Sequence, residues 1–400
     1  MRYMLLSCSL LAAAIFCTAP VASCGQEQPA APSKKHKIIH IVPKSQFTRE
    51  DLARISSQNA SSKTIPLWTY FITGYDGVRY GPGYMVGRAP YAHGHRSTTI
   101  PSYLIPVIFT FADTGTVFDP TAADPCSPNG ASVLSLVRES PLFQDAPFTM
   151  NGVKVGTGQY LDAFQRGNFW SYVGGTPYQT VFSTTPTVLP AINVSVPVAN
   201  GSTQLGICGL FGQMDQIWWD NLLQTTIIPS LGSHGVGPAN FPQFIFDSVV
   251  MYLNHDPSLC CALGYHNSYM NGGVFQTYSA NDFDTSGAFG GDTSVMSHEI
   301  GEWLDDPNGM NPVPAWGAEG QVAAGSCQNN LEVGDPLSPG FSTPTNPFSV
   351  LMPNGVTYTL QELTYFSWFY GGASFGSGGL YSDNGTFTGY ALACPPGGTH

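Results

Sequence analysis

Val295-Met296-Ser297-His298-Glu299-Ile300-Gly301-Glu302-Trp303-Leu304 is the stretch on which the reading of this chain turns. Gly291-Asp292-Thr293-Ser294 offers capping residues before it, and Asp305-Asp306-Pro307 stops it, so the pattern predicts a helix over 295–304. Val295, Met296, Ile300, Trp303 and Leu304 can face a core, while His298, Glu302 and Asp305 fall at i, i+4 and i+7 on the other side. An imidazole and a carboxylate one turn apart stand about 5–6 Å from each other and can grip one ion. Asp305, roughly 10 Å of rise beyond His298, is too far along to complete that site. The competing reading leaves the same acids on the surface of an ordinary capped helix.

Outward from the helix, the charge distribution sharpens the metal reading. The chain carries a net charge of −12, every Lys and Arg lies at or before Arg166, and sixteen Asp and Glu lie after it. Buried carboxylates in that second part must find amides, hydroxyls, histidines or a metal ion, because an unpaired buried charge is prohibitively costly. Nucleic acid and anionic membranes are poor partners for such a surface. Four of the eight glutamates, Glu299, Glu302, Glu319 and Glu332, fall in one short region. Glu332, in Asn330-Leu331-Glu332-Val333-Gly334-Asp335, is the leading third ligand; Asp335, Glu319 and His266 are weaker candidates.

Only 10% of residues are charged, against roughly 25% in an average soluble domain, and Gly, Pro and aromatics abound. That mix suits short strands and many turns. Strands are expected at Leu67 to Ile72, Tyr103 to Phe111 and Gln179 to Ser183, and helices at Gln159 to Trp170 and Met214 to Leu231. Phe244 to Leu253 reads as one buried strand, followed by a loop region holding Gly264-Tyr265-His266. The fold class is therefore α+β, with a signal at 1–24, a polar tether at 25–62, a β-rich domain at 63–210 and the helix-bearing domain at 211–400.

The opening Met1-Arg2-Tyr3, the apolar run to Phe16 and the small residues to Ser23 form a secretory signal pattern, too short to span a bilayer. Val21-Ala22-Ser23-Cys24 also resembles a lipobox, which would make Cys24 an acylated residue and a lipid anchor at the cell surface. Beyond it, Cys126, Cys208, Cys260, Cys261, Cys327 and Cys394 form an even set, as disulfides of an exported protein do. A vicinal Cys260–Cys261 bridge is set below pairing of each with a distant cysteine. Two other motifs rank low. Asp282-Phe283-Asp284-Thr285-Ser286-Gly287 starts like a calcium loop but has Thr293 at position 12, and Asp113-Thr114-Gly115 has no second copy for an aspartic-peptidase pair.

Ser297-His298-Glu299-Ile300-Gly301-Glu302 with the later Glu332 resembles zincin-type metallopeptidases, in an H-E-x-x-E variant where Glu302 replaces the second histidine. The chain also looks like uncharacterised exported bacterial proteins with S-H-E-[IL]-x-E, then D-P at Asp306-Pro307, then E-x-G-D at Glu332 to Asp335. The zincin resemblance implies a zinc ion held by His298, Glu302 and Glu332; calcium, as a structural ion at the loop 282–287, is the lesser possibility. It also implies metal-bound water activated by Glu299 as general base, and a peptide or protein substrate. The alternative function is a non-catalytic secreted or surface binding protein with a structural ion or a vestigial site.

Overall fold

The computed structural model describes residues 47–59, 63–92, 96–289, 292–317, 327–338, 346–391 and 394. The signal at 1–24 with Cys24, Gly291 and Glu319 lie outside them.

A mixed sheet organises the molecule. β1 (Ser102–Phe111), β2 (Ile192–Val196), β3 (Phe241–Asp247), β4 (Gly264–Asn271) and β5 (Val274–Phe283) lie in the order β2-β1-β3-β5-β4. The first four of these run parallel to their neighbours, and β4 closes the edge antiparallel to β5, with His266 opposite Ser279. Every residue of β3 is buried, as expected of a parallel strand covered on both faces. One face packs Ile105, Val107, Phe244, Phe246 and Trp219 together. The other packs Ile245 and Phe283 against the helices α1 (Tyr160–Asn168) and α2 (Ser294–Asp305). Trp303 of α2 stacks on Phe241 at 3.8 Å between ring centroids, which anchors the helix under the sheet.

Mixed α+β structure is what the composition implied, but the chain threads it differently. The sheet draws β1 and β2 from one side of residues 210–211 and β3 to β5 from the other, so the central sheet crosses the expected domain boundary. Residues Arg49–Asn59, read as tether, form a helix whose Ile55 packs on Tyr84 and Phe275. Phe244 to Leu253 is two strands, β3 and Val249–Tyr252, which belong to different sheets. They are divided at Ser248, whose φ of 52° turns the chain while its hydroxyl accepts the amides of Thr285 and Ser286. Both halves are buried, so the apolar run concealed the break. The residues 264–266, read as loop, begin the edge strand β4. Met214 belongs to a strand, Leu210–Asp215, whose last residue Asp215 caps Gln216–Leu222 by accepting the amides of Ile217 and Trp218.

Three disulfides join Cys126 to Cys208, Cys260 to Cys261 and Cys327 to Cys394. The vicinal bridge corrects the expectation of distant partners: the other four cysteines pair among themselves, at Cα separations of 5.9 and 6.1 Å. The disulfides point to an extracytoplasmic setting. No described helix is long and apolar enough to cross a membrane.

Candidate metal centre

Helix α2 is not amphipathic on the surface but enclosed, with Met296 to Asp305 all buried. The reading of its acids as a solvated face is thereby overturned, since Glu299 and Glu302 are 4% and 1% exposed. Its start is pinned by tertiary contacts rather than by a self-contained cap. Asp292 accepts the Thr359 amide at 2.7 Å, and the Thr293 hydroxyl donates to the Thr359 carbonyl. Gly301 costs helix propensity, yet a β-carbon there would stand 2.4 Å from Leu363 Cδ1, so the glycine allows close packing. Asp305 is held by Gln165 and by Asn168 at 2.8 Å, away from His298 as its helix position required.

Two further segments complete the centre. On β4 successive side chains alternate between faces. Tyr265 and Asn267 reach Asp220 on one side, while Gly264 and His266 meet α2 on the other. Gly264 brings strand and helix close, since its β-carbon would sit 3.2 Å from Glu299 Cγ. The segment 330–338 brings Glu332 and Asp335 from the far side. Gly334 lies against the imidazole, where a β-carbon would stand 2.5 Å from His298 Nδ1, and its amide donates to Glu302 Oε1 at 3.2 Å.

Hydrogen bonds fix which ring nitrogen of each histidine looks inward. His266 Nε2 lies 3.1 Å from the Asp306 carbonyl, which only accepts, so this nitrogen carries the proton. Gln361 donates its amide to the Gly334 carbonyl at 2.6 Å, so its oxygen, 3.0 Å from His298 Nδ1, accepts from that nitrogen. The two remaining nitrogens face carboxylates. His266 Nδ1 is 3.3 Å from Glu299 Oε2 and 3.6 Å from Glu302 Oε2. His298 Nε2 is 3.1 Å from Glu302 Oε1, 3.7 Å from Asp335 Oδ1 and 4.0 Å from Glu299 Oε1. In each neutral ring a lone pair points at anionic oxygen, and only a proton or a cation between them makes that favourable. Histidine ligands elsewhere are oriented in this way by a partner on the outer nitrogen.

The electrostatics carry the same message. Burial pulls His298 down, but Glu302, Glu299 and Asp335 outweigh it and push the imidazole up to about 10. His266 is raised as well, the carboxylates of Glu299 and Glu302 overcoming its burial. Burial, then Glu302, Asp306 and Asp335, hold Glu332 well above the usual carboxylate range. Glu332 Oε1 takes a hydrogen bond from Asn330, while Oε2 receives none among the described residues and the side chain meets Glu302. The ion pairs of this centre are all between histidine and carboxylate.

The structure brings His298 and Glu302 together with Glu299 beside them, but their third partner is Asp335, one of the weaker candidates, while Glu332 converges with Glu302 on His266 instead. His266, Glu302 and Glu332 form one set of donor atoms within 4.8 Å of one another, and His298, Glu302 and Asp335 form a second. These buried groups can hold a metal ion. Asp306 joins neither set, and its carboxylate accepts the Met310 and Asn311 amides. Sequence reasoning missed Gln361 and Ser338, whose side chains meet His298 Nδ1 at 3.0 and 3.2 Å; an isolated glutamine or serine carries no motif that could have flagged it. The calcium-loop motif is a turn: Asp284 accepts the Ser286 and Phe289 amides, and Asp282 accepts that of Val249. Compared with known proteins, the chain matches no family model, no curated protein and no solved structure.

Proposed function

We propose that this chain is an exported metal-dependent hydrolase of peptide bonds, with zinc held by His298, Glu302 and Asp335, Glu332 standing in the His266 set, and with Glu299 as the proton-accepting carboxylate. The observation that carries the proposal is the convergence of inward-facing imidazole nitrogens and buried carboxylates in a part of the chain that has no Lys or Arg. Imidazole with carboxylate oxygen is a donor set that zinc accepts. A bound dication would polarise a carbonyl and acidify water. Glu299 lies between the two imidazoles, placed to hold a proton and return it to the leaving amine. Gln361 and the Asp306 carbonyl keep the rings oriented. The peptide as substrate rests on the resemblance of Ser297 to Glu302 to the zincin motif. Export through residues 1–24, with Cys24 either a cleavage site or an acylated anchor, belongs to the same proposal.

One observation favours a second reading, a structural ion in a non-catalytic exported protein. The side chains of His298 and Glu299 are only 5% and 6% exposed, and closed coordination is the habit of structural sites. Metal analysis and a peptide-library assay on Glu299→Gln separate the two. For the hydrolase, cleavage is chelator-sensitive and falls about 10²–10⁴-fold in the variant at unchanged metal content. Unchanged cleavage in the variant rejects the mechanism, and metal without any cleavage by the parent chain selects the structural ion.

A further inference from the structure

We infer that this centre holds two cations bridged by Glu302, an inference that rests on the metal reading above and extends it. Among the described residues no converging set of donors contains both histidines; one set has His266 with Glu302 and Glu332, the other His298 with Glu302 and Asp335. Bonds of about 2.0–2.2 Å let one ion span donor atoms no more than about 4.4 Å apart, so one ion serves one imidazole. Glu302 turns a different oxygen to each, Oε2 to His266 at 3.6 Å and Oε1 to His298 at 3.1 Å. Those separations, with 3.7 Å from His298 to Asp335, suit neighbouring ligands on a shared ion.

Charge leads to the same count. Glu299, Glu302, Glu332 and Asp335 are all buried and together carry four negative charges when ionised. One dication leaves two of them to be neutralised by protons on the imidazoles or on the carboxyls themselves, whereas two dications balance all four with both imidazoles neutral and free to ligate. Glu332 Oε2, fully buried and offered no N–H donor among the described residues, in a side chain that meets only another carboxyl, that of Glu302, besides Asn330, is the second and independent sign of a missing ligand. It belongs to the His266 set, the one a single-ion site on His298 and Asp335 would leave empty. Carboxylate-bridged pairs in other proteins hold their ions about 3.5–4 Å apart.

The test is titration of the chelator-stripped full-length protein with manganese(II) alone and with zinc(II) alone, read as ions bound per chain and, for manganese, as the electron paramagnetic resonance spectrum. Two ions per chain and an exchange-coupled manganese spectrum are expected. His266→Ala and, separately, Asp335→Asn should each reduce the count from two to one and abolish the coupling, while Glu299→Gln keeps both ions. One ion per chain with an uncoupled spectrum overturns the pair and leaves the single-ion hydrolase standing; no ion at all overturns both. The coupling in the parent chain needs no variant, so misfolding of either mutant does not remove the test.

Discussion

Glu332 and Glu362 are both fully buried glutamates thirty residues apart, and they are accommodated in opposite ways. Around Glu362 the protein supplies donors. Ser382, the Asn384 amide and the Thr386 amide serve Oε1, while the Asn346 amide and the Thr386 hydroxyl serve Oε2. Around Glu332 it supplies one donor, Asn330, and further carboxylates. A carboxylate buried for architecture is ringed by N–H and O–H groups. One buried among its own kind is waiting for positive charge. Asp247 shows a third solution, because burial raises it to about 7 and the carboxyl stays protonated over much of the pH range.

The largest effect that sharpens this contrast is expected at Glu362. Glu362→Ala strands three part-buried amides and two hydroxyls around a fully buried carboxylate and should cost about 3–5 kcal/mol in chemical denaturation, equally with and without metal. A loss that vanished on metal removal would erase the distinction. Glu332→Gln should leave the chelator-treated protein as stable as its parent or more so, because a buried carboxyl that burial and Glu302 disfavour as an anion is replaced by a neutral amide. The same variant should lose the stabilisation contributed by the ion of the His266 set, about 2.7 kcal/mol at a hundredfold excess over its dissociation constant. Gln361→Leu removes the acceptor that orients His298 and should weaken zinc binding about 10–100-fold, read by competition with a chromophoric chelator.

The smallest effect concerns the protonated class. Asp247 and Asp162 are each raised to about 7, chiefly by burial, so they bind protons more tightly folded than unfolded. Their contribution is fully present below about pH 4 and decays as pH rises through about 7. The metal-free protein should therefore lose on the order of 5 °C in Tm between pH 4.5 and pH 8. Asp247→Asn should flatten part of that slope without altering metal affinity.

Much of the centre was legible because charge asymmetry and helical spacing are local properties of the chain. His298, Glu299 and Glu302 sit on a stretch whose apolar residues and flanking stops define a helix, and Glu332 stands out where glutamate is scarce. What was not legible depends on pairing across the fold. His266 follows Gly264 and reads as loop, yet pairing with Ser279 makes it a strand residue aimed at α2. The break at Ser248 is set by its contacts to Thr285 and Ser286, which nothing in an all-apolar run announces. Cys260 and Cys261 pair with each other because Cys126 meets Cys208 and Cys327 meets Cys394, a three-dimensional fact. Gln361 acts through one oxygen, 63 residues from the ring it steers.

The most direct measurement is an anomalous difference map from crystals grown with zinc, collected on both sides of the zinc absorption edge. Density is expected within about 2.2 Å of His298 Nε2 and of a Glu302 oxygen. A map empty there, with both imidazoles bonded only to carboxylates, contradicts a cation as the partner of these buried acids.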